Sequence, residues 1–479
     1  MAPSLQEPLL SSYDDEITSA QENGVAHLLP PVTSLDRPLS KVEILESFDH
    51  EVSRSLQTDL QTIINTINLY VGVGILSLGY AVRLGGWASM VLQAVLALLL
   101  CYSAKLICRS FDRVPPNLVP SYPNLGHTVF GVPGQFAVML MGGAEFFGAL
   151  CLCLIVIWQS ITMLLPSYPL CLGVYCMIPM EVAILGSTLI MVPAVLIRTF
   201  SRLTSLSISG VISSLLLTSV VIIAYAMDPQ QKDVADPAAR EHEVIDWDHL
   251  PMAAGIMIVS LSGHAGVPSL RRSMKNPENF ERCISIAFFS IYVIYSTIGG
   301  FAYLYFGEAT QVLITGNLND SSSVTGFILL KIGSFTITIN QLIIVLVATS
   351  AYTTCPALVY VVAELIVDLL RGDSATHIPG AGDLVARTIV LGLAYVVAIV
   401  AYDVLDNVES IVGGVCSVSV SLFLPALFYF KLYNKELSSS NRTLVSIVII
   451  VSAAAVFGIG AVSLEITSDP VLTSTVLDL

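Results

Sequence analysis

The sequence predicts an all-α polytopic membrane protein, and three observations carry that expectation. Hydrophobic residues make up 54% of the 479 and charged residues only 12%, about half the charge of a soluble domain. Mean hydropathy is +0.79. The apolar residues also fall into blocks of about 20, the length a helix needs to cross the hydrocarbon. The short alternating segments of a membrane β-barrel are absent.

About eleven blocks satisfy that length criterion, at approximately 60–82, 87–111, 135–160, 177–198, 203–227, 251–270, 283–306, 337–371, 385–403, 408–430 and 443–464. Residues 59–465 therefore read as one transmembrane domain. Residues 1–58 are polar, with Ser and Pro, and are expected to form a disordered cytoplasmic tail. No cleavable signal peptide is expected ahead of the first block. Residues 466–479 read as a short lumenal or extracellular tail.

The net charge of −15 excludes a nucleic-acid footprint; much of the acid lies at Asp14, Asp15 and Glu16 and between Asp228 and Asp248. The nine cysteines show no metal-ligand spacing, so no metal site is expected. Cys171 and Cys176 share a short loop. They either pair in an oxidising lumen or remain two thiols.

Basic residues mark cytoplasmic loops. A cytoplasmic amino terminus leaves Arg109, Arg113, Arg198, Arg202, Arg271, Arg272, Lys275, Arg282, Arg371, Arg387, Lys431, Lys435 and Arg442 on that side. Only Arg83, Lys232, Arg240 and Lys331 fall on the other. Trp87, Trp158 and Trp247 are then expected at the non-cytoplasmic interface, where indole rings are favoured. The sequon at Asn319 falls on that side too, and the sequon at Asn441 in the cytoplasm.

Two blocks are interrupted. The first reads Asn68-Leu-Tyr-Val-Gly72-Val-Gly74-Ile75, with two glycines near mid-membrane. The sixth reads Ser260-Leu-Ser-Gly263-His264-Ala-Gly266-Val-Pro268, where Pro268 removes a backbone hydrogen bond. They lie five crossings apart and open the two halves of a five-plus-five inverted repeat, with the eleventh helix appended. Glycine-interrupted helices at matching places in two halves point to a solute site. Unwound backbone survives in a bilayer only where it lines protein or a cavity. Close helix packing is the blander reading of the glycines, and the matched pair favours the site. A channel is disfavoured, because matched breaks imply alternating access. No nucleotide loop, metal spacing or paired intramembrane acids support an enzyme.

At these residues the chain resembles the amino acid/auxin permease superfamily, in particular its vacuolar amino-acid transporter branch and the related vesicular inhibitory amino-acid transporters. The resemblance runs from about Asp59 to Glu465. Besides both interrupted segments it is carried by Gly85-Gly-Trp87, Ser121-Tyr-Pro-Asn-Leu-Gly-His127 with Phe130-Gly131, and Ser273-Met-Lys-Asn-Pro-Glu-Asn-Phe280. It implies a LeuT-type fold and secondary active amino-acid transport, usually proton-driven, with no bound cofactor and sodium as the alternative ion. An endomembrane, vacuolar or lysosomal, is the implied location, with the plasma membrane as alternative. The partners are the amino acid and membrane lipid; oligomeric state is not legible. An amino-acid sensor signalling through the tail is the rival class.

The substrate is expected against Asn68, Tyr70, Gly72, Val73, Gly74 and Ile75 of the first break and Ser260, Leu261, Ser262, Gly263 and His264 of the second. Half-helix amino termini would receive its carboxylate and open carbonyls its ammonium. Glu145, where similar family members also carry glutamate, and His264 are the candidates for proton coupling. Burial penalises a charged carboxyl, as proton exchange requires, and imidazole changes charge near neutral pH. Val71, Ser350, Thr353 and Thr354, beside Thr349, form a candidate cation site. Glu364 and Asp368 are expected near water at the cytoplasmic end of the eighth block. One departure stands out. Gly79 occupies the place where the family usually has proline, which implies a looser hinge.

The orientation makes a direct prediction. Asn319 should carry glycan after passage through the secretory pathway and Asn441 should not, as glycosidase sensitivity of single-sequon variants would show. A glycan on Asn441 would invert the topology.

Overall fold

The computed structural model describes residues 56–116, 118–166, 168–172, 175–195, 200–227, 242–312, 314, 317, 328–332, 335–371, 381–400, 402 and 415–467. Residues 1–55 of the amino-terminal tail, the Asn319 sequon and residues 468–479 of the carboxyl-terminal tail lie outside them.

The chain enters through α1 (Asp59–Tyr70), started by a capping box in which Thr58 accepts from the Gln61 N–H and Gln61 accepts from the Thr58 N–H at 2.9 Å. The helix ends at Tyr70 and resumes as a 3₁₀ turn (Val73–Ser77) running into α2 (Leu78–Gly85). The two halves meet at 56°. Next come α3 (Ala88–Ser110), the short α4 (Tyr122–Phe130), α5 (Val132–Leu164), α6 (Pro179–Val195) and α7 (Phe200–Met227). The second half opens with another broken helix: α8 (Leu250–Ser260), a 3₁₀ turn (His264–Gly266) and α9 (Val267–Arg272). It continues with α10 (Phe280–Phe306), α11 (Ile339–Arg371), α12 (Ala381–Val400), a π-helical turn (Ser419–Phe423) into α13 (Leu424–Tyr433), and α14 (Ser439–Thr467).

Two antiparallel hairpins lie outside the spans, β1 (Leu170–Leu172) with β2 (Tyr175–Met177) and β3 (Ile328–Ile332) with β4 (Phe335–Thr338). A disulfide joins Cys171 to Cys176 across the first hairpin. The all-α expectation holds for the membrane domain.

Among the described residues nine helices are long and apolar enough to cross a membrane, and the bent α1–α2 pair makes a tenth. The expected fourth crossing is α6, whose apolar run falls short of spanning length. The described residues thus give up to ten spans and this shorter apolar helix at the expected fourth position.

Packing separates the broken helices from their supports. Helix α11 lies against α5 and α7, while the outer halves α2 and α8 pack on each other and α1 packs on α7 and α10. The start of α1 and the end of α9 are tied by backbone: Gln57 N–H donates to Ser273 O at 2.7 Å, and Lys275 N–H to Gln57 O at 2.8 Å. The Asn279 amide donates to Asp59 at 2.8 Å, and Arg109 forms a two-pronged ion pair with Glu281. These bonds tie the start of α1 to the end of α9 and to α10, and α3 to α10.

Two sequence expectations are corrected here. Trp158 is fully buried, its indole N–H donating to Ser187 at 2.9 Å and its ring lying 5.7 Å from that of Tyr395. It locks α5 to α6 and α12 and is not an interfacial anchor; Trp247 is exposed as expected. Gly79 is not a loosened hinge. It lies in the first turn of α2, where a Cβ would sit 2.7 Å from the Cβ of Ala302 on α10. A proline would also carry that carbon, so close packing against α10 accounts for glycine here.

Overpacking a filled contact costs about 1–3 kcal/mol. Gly79→Ala should therefore lower the melting temperature of the purified protein, and Ala302→Gly in the same chain should recover most of the loss. Additive losses in the double variant would show that the two positions do not touch.

Candidate functional site

The last four carbonyls of a helix have no partner within it, and each break exposes such groups at mid-membrane. Neighbouring helices supply the donors. Ser260 Oγ donates to Ile256 O at 2.8 Å and lies 3.3 Å from Gly74 O, joining the two breaks. Thr354 on α11 reaches Asn68 O at 3.3 Å, and Ser350 reaches Val71 O at 3.5 Å. The Asn68 side chain is clasped by α11: its amide donates to Thr353 O at 3.1 Å and its oxygen accepts from Thr353 Oγ1 at 3.1 Å. Gly210 on α7 makes room for that clasp, since a Cβ there would collide with Asn68 Oδ1 and Thr353 Oγ1.

The structure thus places Val71, Ser350, Thr353 and Thr354, the candidate cation residues, together, and adds Asn68, which the sequence reading placed against the substrate. Thr349 is not part of the cluster; its hydroxyl bonds Val345 O of its own helix. Ser262 likewise donates to Ile258 O. Ile75 and Leu261 are buried beside the break, and the side chain of Val73 is outside the description.

At the second break Gly263 has φ 157° and ψ 18°, a conformation side chains oppose. A Cβ there would also press on the ring of Tyr70 at 3.1–3.2 Å. No side chain caps the turn beginning after Gly72, nor the one after Gly263. Uncapped N–H groups at a helix start favour an anion.

His264 is fully buried, with Nε2 2.9 Å from Leu100 O. A carbonyl only accepts, so Nε2 carries the proton. Its Nδ1 has no partner among the described residues. The Tyr70 ring lies 6.1 Å from His264 and 5.1 Å from Phe288, and its hydroxyl is also unpartnered among those residues.

Glu145 faces this region from α5. One turn earlier Gly142 abuts Ala265 of the second break, and Phe146 abuts Gly266. Neither carboxyl oxygen of Glu145 has a partner of good geometry among the described residues; its polar neighbour is Ser417, whose hydroxyl is also open.

Glu364 is a correction. It is buried, not near water, and binds both Ser269 and Arg272 of the inner half-helix α9. The side chain of Asp368 is outside the description. Among the described residues no group of three His, Cys, Asp or Glu is arranged to hold a metal ion.

The two breaks thus meet, with carbonyls of the first bonded by hydroxyls of Ser260, Ser350 and Thr354 and with the turns that resume each helix lacking a side-chain cap. Residues 57–465 match the family model described as transmembrane amino acid transporter protein. The chain belongs to that family. It is 26% identical over 464 residues to amino acid transporter AVT1D of Arabidopsis thaliana, which covers 94% of this chain and 78% of that protein. Amino acid transporter ANT1 of the same plant is 24% identical over 443 residues, covering 88% of this chain and 95% of its own.

Among solved structures, MhsT in complex with L-phenylalanine superposes with a TM-score of 0.52 at 12% identity, covering 83% of this chain and 98% of that one. A Na⁺-coupled sialic acid symporter in its substrate-bound outward-open state gives 0.54 at 10% identity, with 85% and 89% covered. At such identities the likeness shows the fold, the LeuT-type architecture that the family resemblance implied. The chain is an integral membrane protein of a transporter family.

Gly263→Ala combines backbone strain of about 1–3 kcal/mol with a collision against Tyr70, and should abolish uptake at near-normal expression. Gly72→Val should do the same, because a Cβ there already lies 3.4 Å from Thr354. Wild-type uptake by either variant, measured in reconstituted liposomes, would remove the breaks from the site.

Proposed function

We propose that this family member is a secondary active amino-acid transporter driven by protons and working by alternating access in an endomembrane, vacuolar or lysosomal. The carrying observation is the buried carboxyl of Glu145, which has no ionic partner and no hydrogen bond of good geometry among the described residues, beside two mutually braced helix breaks. The breaks offer the substrate's carboxylate uncapped N–H groups and its ammonium open carbonyls, as half-helix dipoles favour. Hydrogen bonds at Gln57, Asp59 and Glu281 hold the cytoplasmic side shut. They are few and lie at the ends of the half-helices, so their rupture opens that side while the scaffold of α5, α7 and α11 stays fixed. Concentrative transport then needs no bound cofactor, only the ion gradient.

An unpaired charge at the membrane centre costs at least ~2.5 kcal/mol on insertion scales. Glu145 is therefore suited to be neutral in one facing state and ionised in another where water reaches it. His264 is less suited, because its Nε2 proton is committed to Leu100 O. Sodium coupling is the second reading, and it rests on the oxygens of Val71, Ser350, Thr353 and Thr354. In this conformation those hydroxyls already meet backbone carbonyls, which favours a hydrogen-bonded latch. A sensor role would require the amino-terminal tail, which lies outside the described residues.

Glu145→Gln tests the coupling. Glutamine fixes a neutral side chain of nearly the same shape, so concentrative uptake under a proton gradient should vanish. Exchange of internal for external amino acid should survive, since exchange needs no net proton cycle. Liposome uptake at two pH values, beside counterflow, reads both. Continued accumulation by the glutamine variant would remove Glu145 from coupling, and His264 would be tested next. Accumulation that follows a sodium gradient instead would favour the second reading.

A further inference from the structure

Tyr295, fully buried on α10, is absent from both breaks in sequence and yet touches both in space. Its hydroxyl lies 2.7 Å from Tyr70 O and 3.0 Å from Ser260 O. These are the last residues of α1 and α8, so the two carbonyls belong to the negative ends of two half-helix dipoles. Both dipole ends thus converge on one phenolic group. A hydroxyl has a single proton. It satisfies one carbonyl fully at a time, or both partly, and leaves acceptor capacity for one more donor between them.

We propose that Tyr295 is a positioning residue of the transport site. It holds the carbonyl ends of the two half-helices together and leaves them one donor short, and that shortfall receives the ammonium of the substrate. Without the hydroxyl the two negative ends face each other with no shared proton and move apart to find other donors. The arrangement complementary to an ammonium is then no longer preformed. The inference rests on the amino-acid transport reading but not on the nature of the coupling ion.

The test compares wild type, Tyr295→Phe and the same position carrying 4-aminophenylalanine, each reconstituted and assayed by counterflow, which needs no ion gradient. The probe is the labelled L-amino acid that wild type exchanges fastest in a panel of the twenty. Phenylalanine keeps the ring and removes the donor. KM should rise about tenfold, equivalent to ~1.4 kcal/mol, with Vmax within about twofold, the pattern of lost binding. The melting temperature should be nearly unchanged. The amino group restores a donor at the same place and should return KM towards wild type.

An unchanged KM in the phenylalanine variant overturns the proposal. So does failure of that variant to fold, or a loss of Vmax and melting temperature at constant KM, since each marks a merely structural hydroxyl. A stable aminophenylalanine protein that does not recover KM overturns it as well. Absence of counterflow by wild type would instead strike the transport reading itself, and proton-independent counterflow with intact KM differences would leave Tyr295 in place whatever ion drives transport.

Discussion

Everything around the centre of this molecule follows from the need to satisfy backbone polar groups where lipid and apolar side chains supply no water. A continuous helix meets that need internally, and a broken one does not. An unsatisfied group in the hydrocarbon costs several kcal/mol, whereas an ordinary hydrogen bond contributes only about 0.5–1.5 kcal/mol net. The penalty therefore dictates the neighbours more strongly than any single attraction. Thr354 and Ser350 from α11, Ser260 from the opposite break and Tyr295 from α10 each bring a hydroxyl to a carbonyl of the first broken segment. Three helices are thus placed by the breaks they serve. The same placement makes each break expensive to create without the others, which is why the two occur together.

Hydroxyls suit this task better than amides. A serine or threonine inside a helix can bond its own preceding turn, as Thr349 and Ser262 do, so it costs little in either conformation. Where an unwound carbonyl comes within reach the same hydroxyl can turn to it. Thr354 lies within reach of both, with Ser350 O at 3.0 Å and Asn68 O at 3.3 Å. A latch of this kind can be released without stranding a polar group, a property that motion at the first break would require.

Much of this was legible in the sequence because glycine and proline interrupt a helix pattern by their own chemistry. The two breaks and the helical class could be read from residue type and spacing, whereas the clasp of Asn68 by Thr353 could not. Tyr295, Gly210 and Ser417 could not. Each sits alone in an apolar helix, and only the fold brings it to its partner on a distant helix. Gly79 was misread for a related reason: a glycine that permits bending and one that permits contact look alike until Ala302 is found 2.7 Å from its missing Cβ. Trp158 shows the limit of depth rules, since an indole near a helix end faces protein as readily as lipid when Ser187 can take its N–H. At α6 the described apolar stretch is shorter than the block read from the sequence.

The two buried glutamates show how environment, not residue type, divides roles. Glu364 lies against the guanidinium of Arg272 and the hydroxyl of Ser269, so its charge is met where it stands. Removing one partner from such a buried pair typically costs about 3–5 kcal/mol, and a group held in that way serves to fasten α9 to α11. Glu145 has no such compensation among the described residues, and its neighbours Tyr70 and Ser417 are themselves open. The proposed coupling is therefore assigned to α5, beside the second break, while the Glu364–Arg272 pair fastens α9 to α11.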